Sequence, residues 1–273
     1  MKTAPSVEQH YRPEDHAALV AKVTQYLGGL PETVTANQLA GFDQFHVRGL
    51  AATAELAAMA GFQPGWEVLD AGSGLGGPSR YLAESHGCRV IGIDLVPSYV
   101  AIAELLAERT TLAAQVTYQV GDLTRLPFDE GRFDAVWTQH VVMNIRDRDR
   151  VYGEIRRVLK PGGVFAFYDV IAADGHPTFR LPVPWAETEA TSFLLTEAET
   201  MEALRRARLN PMTVKDVTAA AIDWFGKQRG APPPALGLAA VMGPRFPEMT
   251  ANLAGNLRDG RLRLMMGTCD AVI

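Results

Sequence analysis

The chain has only two cysteines in 273 residues, Cys88 and Cys269, and nowhere the paired Cys or His spacing of a zinc site. A disulfide framework and a structural metal cluster are thereby excluded, and a reducing compartment is the expectation. No stretch approaches the ~20 apolar residues that a membrane-spanning helix needs. The opening Met-Lys-Thr-Ala-Pro-Ser-Val-Glu-Gln-His also lacks the apolar centre of a secretory signal. The reading is a cytoplasmic protein with no membrane partner. Positive charge is scarce as well: the formal net charge is −5, and Arg146, Arg148 and Arg150 alternate with aspartates instead of forming a basic face. No nucleic-acid partner is therefore expected. Internal repeats are absent, and Pro232, Pro233 and Pro234 mark a stiff connection late in the chain. What is abundant is apolar surface, 47% of residues, enough for a sizeable core in one large domain.

Residues 68–77, Val-Leu-Asp-Ala-Gly-Ser-Gly-Leu-Gly-Gly, carry the strongest signal. A β-rich strand end runs into a turn whose glycines accept positive φ and leave no side chain between main chain and ligand. A helix beginning near Gly76 would point its free N–H groups at the same spot. Gly72, Gly74 and Gly77 satisfy the dinucleotide pattern G-x-G-x-x-G, which alone is a weak match. Asp70 discriminates: a carboxylate there repels a pyrophosphate and accepts from the cationic end of an amino acid, as in a sulfonium cofactor. The plainer reading of Asp70 is a helix cap.

Apolar runs at 68–71, 89–95, 116–120, 133–138 and 163–171 alternate with helical stretches, which predicts a parallel sheet covered by helices. Pro97 opens one such helix. Another, with Val151, Ile155, Val158 and Leu159 on its apolar face, is expected to stop at Pro161-Gly162-Gly163. Thr196 and Glu199 form a capping box before a further helix, and residues 212–217 and 261–266 read as the sixth and seventh strands. The division expected is an N-terminal helical lid over 1–60, a cofactor-binding core over 61–220, a helical cap over 221–258, and the last core strand over 259–273.

Asp94 ends the second run 22 residues beyond Gly72, the spacing at which a carboxylate binds ribose hydroxyls. The third run ends Gly121-Asp122-Leu123. With Leu159-Lys-Pro-Gly-Gly163 following in order, the chain closely resembles the class I S-adenosylmethionine-dependent methyltransferases, strongly over roughly residues 60–171. Gly41-Phe-Asp-Gln-Phe-His46 and His140-Val-Val-Met-Asn144 resemble segments of its small-molecule branch, which contains the sarcosine/dimethylglycine N-methyltransferases and the ubiquinone/menaquinone C-methyltransferases. The resemblance implies an α/β, Rossmann-like fold whose seven-stranded sheet is mostly parallel with an antiparallel last strand.

It also implies S-adenosylmethionine as cofactor, with Asp70, Gly72 and Gly74 holding its methionine portion, Asp94 and Leu95 the ribose, and Asp122 and Leu123 the adenine. Gln139 would lie beside the sulfonium, and Gln44 and His46 would close over the donor from the lid. The acceptor expected is a small molecule, an amine nitrogen slightly ahead of oxygen or carbon. The alternative is a non-catalytic S-adenosylmethionine-binding protein or partner subunit. A nicotinamide oxidoreductase is disfavoured by Asp70 and by the lack of a second mononucleotide-binding half.

Ligands in such sheets meet the carboxyl ends of the strands. His140, Asn144 and Asp169 are thus candidates there, with His46, Tyr11 and Trp185 on covering segments. His140, His46 and Asp169 are the candidate acid–base groups. Tyr11, His140, Asn144 and Trp185 are the candidate acceptor contacts, Trp185 through cation–π attraction to a methylated ammonium. Each has a plainer role: loop hydrogen bonding for His140, turn capping for Asp122 and Asp169, surface for Tyr11, loop anchoring for Trp185. Monomer and homodimer are both compatible with the sequence.

Overall fold

A computed structural model describes residues 10–11, 16–230 and 236–272. The triple-proline connection at 232–234 lies outside the described residues. Seven strands form one sheet in the order β3-β2-β1-β4-β5-β7-β6. They are β1 Glu67–Ala71, β2 Arg89–Asp94, β3 Val116–Val120, β4 Phe133–Gln139, β5 Leu159–Ala172, β6 Leu209–Asp216 and β7 Leu262–Ala271. β1 to β5 pair in parallel, whereas β7 runs antiparallel to both β5 and β6. The expected topology is therefore the observed one.

Ten helices are described: α1 His16–Gly28, α2 Ala36–Asp43, α3 Leu50–Ala60, α4 Gly77–His86, α5 Pro97–Arg109, α6 Arg148–Val158, α7 Glu197–Arg206, α8 Thr218–Gln228, α9 Ala239–Met242 and α10 Phe246–Arg258. Alternation along the strands assigns them to two faces. Val68, Val90 and Ala135 pack with α3 to α5 and with Leu253 and Leu257 of α10, while Leu69, Ile93 and Val136 pack with α6 and α7. α1 and α2 form a third cluster on the outer side of α5, around Tyr99, Ile102 and Leu106.

Local chemistry explains the helix starts. Thr35 and Gln38 make a capping box before α2, as Thr196 and Glu199 do before α7. The Asp147 side chain accepts from the Arg150 N–H at the start of α6. One boundary departs from expectation. α6 ends at Val158, and Leu159 with Pro161-Gly162-Gly163 already belongs to β5. Leu159 aligns with Phe133 of β4 before a register shift, so sheet pairing overrides the helical periodicity there. β7 likewise runs to Ala271, beyond the expected Met266, because it pairs along most of β5.

Candidate active site

The glycine turn leaves the carboxyl end of β1 at the sheet centre and is tied to β2 by backbone bonds. Gly72 and Ser73 N–H both donate to the Ile93 carbonyl, at 2.8 and 3.1 Å. Gly74 N–H donates to Asp94 Oδ2 at 2.8 Å, and Val96 N–H donates to Asp94 Oδ1 at 2.9 Å. Asp94 thus braces the turn while each oxygen keeps a lone pair for a further donor. Gly72 has φ +86° and Gly76 φ +75°, and a Cβ would collide with Val141 at the first and with the Tyr118 hydroxyl at the second. Both positions therefore require glycine.

Asp70 Oδ2 accepts from Ser79 Oγ at 2.5 Å, beneath the start of α4. Burial, with the nearby Asp94 charge adding to it, pushes the Asp70 carboxyl up from 3.8 to about 7, against the lowering effect of the Ser79 hydrogen bond. Burial raises Asp94 as well. Two desolvated carboxylates around one glycine turn favour a ligand that brings positive charge. The ammonium and sulfonium groups of S-adenosylmethionine fit that demand, and a pyrophosphate does not. The sign of the pH effect follows. With its folded value above the unfolded one, Asp70 binds the extra proton in the folded state between about pH 4 and 7. The Asp70 contribution to the stability of the free protein should fall as pH rises through that window, with Asp169, also raised to about 7, adding to the slope and the two buried histidines, His46 and His140, opposing it below about pH 6.5. Urea midpoints at pH 5 and pH 7.5 check this, and Asp70→Asn should flatten the difference.

A buried pair missed by sequence reasoning locks α2 to this turn. Arg80 of α4 donates to Asp43 Oδ2 at the end of α2 and to the Leu75 carbonyl, both at 2.7 Å, and reaches the Ala103 carbonyl at 3.3 Å. Both side chains are fully buried. Asp-x-x-His within Gly41–His46 signals α2's end, but no local pattern joins it to Arg80.

A cavity of about 1280 Å³ opens over the turn. It exceeds the ~300–1,000 Å³ of an ordinary ligand pocket and leaves room for donor and acceptor together. Its lining brings together Tyr11, Gln44, His46, Asp70, Gly72, Gly74, Asp94, Leu95, Asp122, Leu123, Gln139, His140, Asn144 and Trp185. Asp169 is the exception. It does not line the cavity; its Oδ2 accepts from Met143 N–H at 3.1 Å, fixing the loop after β4. Asp122 combines both readings, since it lines the cavity and its Oδ1 caps Thr124 N–H at 2.8 Å. Trp185 is buried and donates to Ser192 Oγ at 2.9 Å, which makes it a loop anchor at the cavity wall. Tyr11 is no plain surface residue: its hydroxyl donates to Asn144 Oδ1 at 3.3 Å, and the adjacent His10 Nε2 contacts the Pro184 carbonyl at 2.9 Å.

Near the β4 end, Trp137 Nε1 donates to Gln139 Oε1 at 3.1 Å, which turns Gln139 Nε2 the other way, buried and without a partner. Thr53 Oγ donates to Gln44 Oε1 at 2.7 Å. His140 adopts φ +54°, its ring centroid 4.6 Å from that of Tyr168 and 6.1 Å from that of His46. Burial holds both histidines neutral, His46 down to about 4 and His140 well below the usual imidazole range, with His46 adding to the latter shift.

The far wall comes from segments that carried no motif. Trp224 and Phe225 of α8, Met242 of α9, and Phe246 and Leu253 of α10 line it, with Leu238 between α8 and α9. From Pro184 onward, the described lining contains no Asp or Glu; its charged members are Arg229 and Arg258. Only composition could have announced this wall, through the aromatic and aliphatic residues spaced along 221–258.

The fold and the turn define a Rossmann-like, class I methyltransferase fold, and residues 69–167 match the family model described as a methyltransferase domain. The chain is similar to sterol 24-C-methyltransferases, being 40% identical over 119 residues to that of Saccharomyces cerevisiae and 38% over 119 residues to that of Gibberella zeae. Each match covers 44% of this chain and 31% of the relative, so the chain matches about a third of their length. These curated relatives are sterol enzymes and not the sarcosine or quinone enzymes expected, while a putative sarcosine dimethylglycine methyltransferase from Galdieria sulphuraria superposes with TM-score 0.62 at 20% identity, over 82% of this chain and 85% of that one. Among solved structures, geranyl diphosphate C-methyltransferase from Streptomyces coelicolor superposes with TM-score 0.72 at 19% identity, covering 99% of this chain and 100% of that one. No helix among the described residues is long and apolar enough to cross a membrane.

Proposed function

We propose that this protein transfers a methyl group from S-adenosylmethionine to an unsaturated carbon of a largely apolar small molecule. The observation that carries the reading is the far wall: mostly aromatic and aliphatic, with Arg229 and Arg258 as its charged members and no carboxylate among its described residues. A cationic amine would leave its charge unpaired against such a wall, at the price of desolvation. A neutral alkene buries apolar surface there at about 25 cal/mol per Å². Similarity to the sterol 24-C-methyltransferases supports carbon over the amine first expected.

When bound, the cofactor supplies an electrophilic methyl group to the acceptor's π pair while sulfur keeps the electrons of the broken C–S bond. The protein's part is to align the reactants and exclude water, worth effective molarities of about 10⁵–10⁸ M. Asp70, Gly72 and Gly74 would hold the methionine portion, Asp94 and Leu95 the ribose, and Asp122 and Leu123 the adenine. Gln139 and Gln44 would border the reacting centre, and Tyr11, Asn144 and Trp185 the acceptor. In this reading residues 1–60 act as a lid, 61–220 as the core, 221–258 as a cap, and 259–273 as the closing strand. Calorimetric titration with S-adenosylhomocysteine, against NAD, followed by mass spectrometry of alkene, phenol and amine acceptors, tests it. Micromolar binding with methylation of alkenes is the expected outcome, and exclusive methylation of amines would overturn it.

A further inference from the structure

The His46 ring presents one nitrogen to the protein and the other to the cavity. Nε2 lies 3.0 Å from the Gly49 carbonyl and 3.0 Å from Thr53 Oγ. A carbonyl only accepts, and Thr53 directs its single proton to Gln44 Oε1 at 2.7 Å, so toward His46 it too is an acceptor. Both neighbours therefore require the proton on Nε2, which leaves Nδ1 with its lone pair. Nδ1 has no hydrogen-bond partner among the described residues and is not among the sealed, unpartnered atoms, while His46 lines the cavity. His140 offers no equivalent, since its Nε2 is buried without a partner and nothing fixes its tautomer.

We infer that His46 Nδ1 accepts the proton released when the methylated acceptor re-forms a double bond. The inference rests on the carbon-acceptor reading. After the methyl carbon is bonded, the acceptor is left with a cationic carbon. The electron pair of an adjacent C–H bond becomes the new C=C bond, and its proton passes to Nδ1. The resulting imidazolium keeps its Nε2–H on Gly49 and returns the Nδ1 proton to water after the product leaves. Burial, which depresses the basicity of this ring to about 4, suits it to that task alone. It would be about six units too weak for an alkylammonium of pKa near 10, whereas a C–H bond beside a cationic carbon is a far stronger acid. Tyr168, 6.0 Å from His46 by ring centroids, and His140 bring aromatic faces to the same region.

Two measurements on the full chain decide it. Nitrogen NMR of histidine-labelled wild-type protein, with and without S-adenosylhomocysteine, should show His46 as the Nε2–H tautomer, neutral down to about pH 4. A proton on Nδ1 would overturn the assignment irrespective of any substrate. His46→Gln keeps an N–H for Gly49 but has no basic nitrogen. It should lower kcat on an alkene acceptor by about 10²–10⁴-fold and divert product to a water adduct. Wild-type turnover and product in His46→Gln would remove His46 while leaving carbon methylation intact. Failure of the wild-type protein to methylate any alkene while methylating amines would instead remove the carbon reading, and the proton role with it.

Discussion

Arg80→Ala should lower stability by about 3–5 kcal/mol, the usual cost of leaving one member of a buried ion pair alone. Arg80 is completely buried and joins Asp43 at 2.7 Å, so the substitution strands a carboxylate out of reach of water. The loss should not be confined to stability. Arg80 also holds the Leu75 carbonyl, within the glycine turn, and the Ala103 carbonyl of α5. Cofactor affinity should therefore weaken together with the urea midpoint. Arg80→Met combined with Asp43→Leu should recover most of the stability, because removing both charges also removes their desolvation. An Arg80→Ala protein with an unshifted midpoint would mean that the pair contributes nothing to the fold.

Asp94→Ala should weaken S-adenosylhomocysteine binding by about 1.5–3 kcal/mol, the worth of a hydrogen bond to a charged group, or roughly 10- to 150-fold. The structure adds a second effect to that expectation. Asp94 accepts from Gly74 and Val96 N–H, so its removal frees the turn from β2 as well as deleting the proposed ribose contact. Asp94→Asn separates the effects. Its one remaining carbonyl oxygen can brace only one of the two N–H groups. Affinity should accordingly fall between wild type and Asp94→Ala. Calorimetry reads both, and unchanged affinity in Asp94→Ala would place Asp94 outside the site.

The cofactor half was legible because its determinants are local. A strand, a carboxylate and four glycines lie within ten residues, and apolar runs mark β2 and β4 on either side. The capping box before α7 was equally visible. Elsewhere, long-range partners decided the outcome. Leu159 fits helical spacing yet pairs with β4, and Asp169 lies inside β5, where it turns away from the cavity to hold Met143. The Asp43–Arg80 pair joins residues 37 apart, which no period or motif encodes. The apolar wall was hidden for a different reason: aromatic residues in an amphipathic helix read equally as core, and only the packed structure shows which of them face empty space.

That wall also has a bearing on how new specificities arise. β6 and β7 are antiparallel neighbours, with Asp216 paired to Met265. Everything from α8 to α10 is therefore one long excursion between neighbouring strands, leaving after Asp216 and re-entering at Leu262. Closure entropy changes only slowly with the length of such an excursion, by about 0.6 kcal/mol per doubling. The segment also lies wholly outside residues 69–167, where the methyltransferase match is found. Evolution, or a designer, can vary its cavity-facing stretches while keeping the core contacts of Ala221, Leu253 and Leu257, retuning which molecules are admitted while the glycine turn is inherited unchanged.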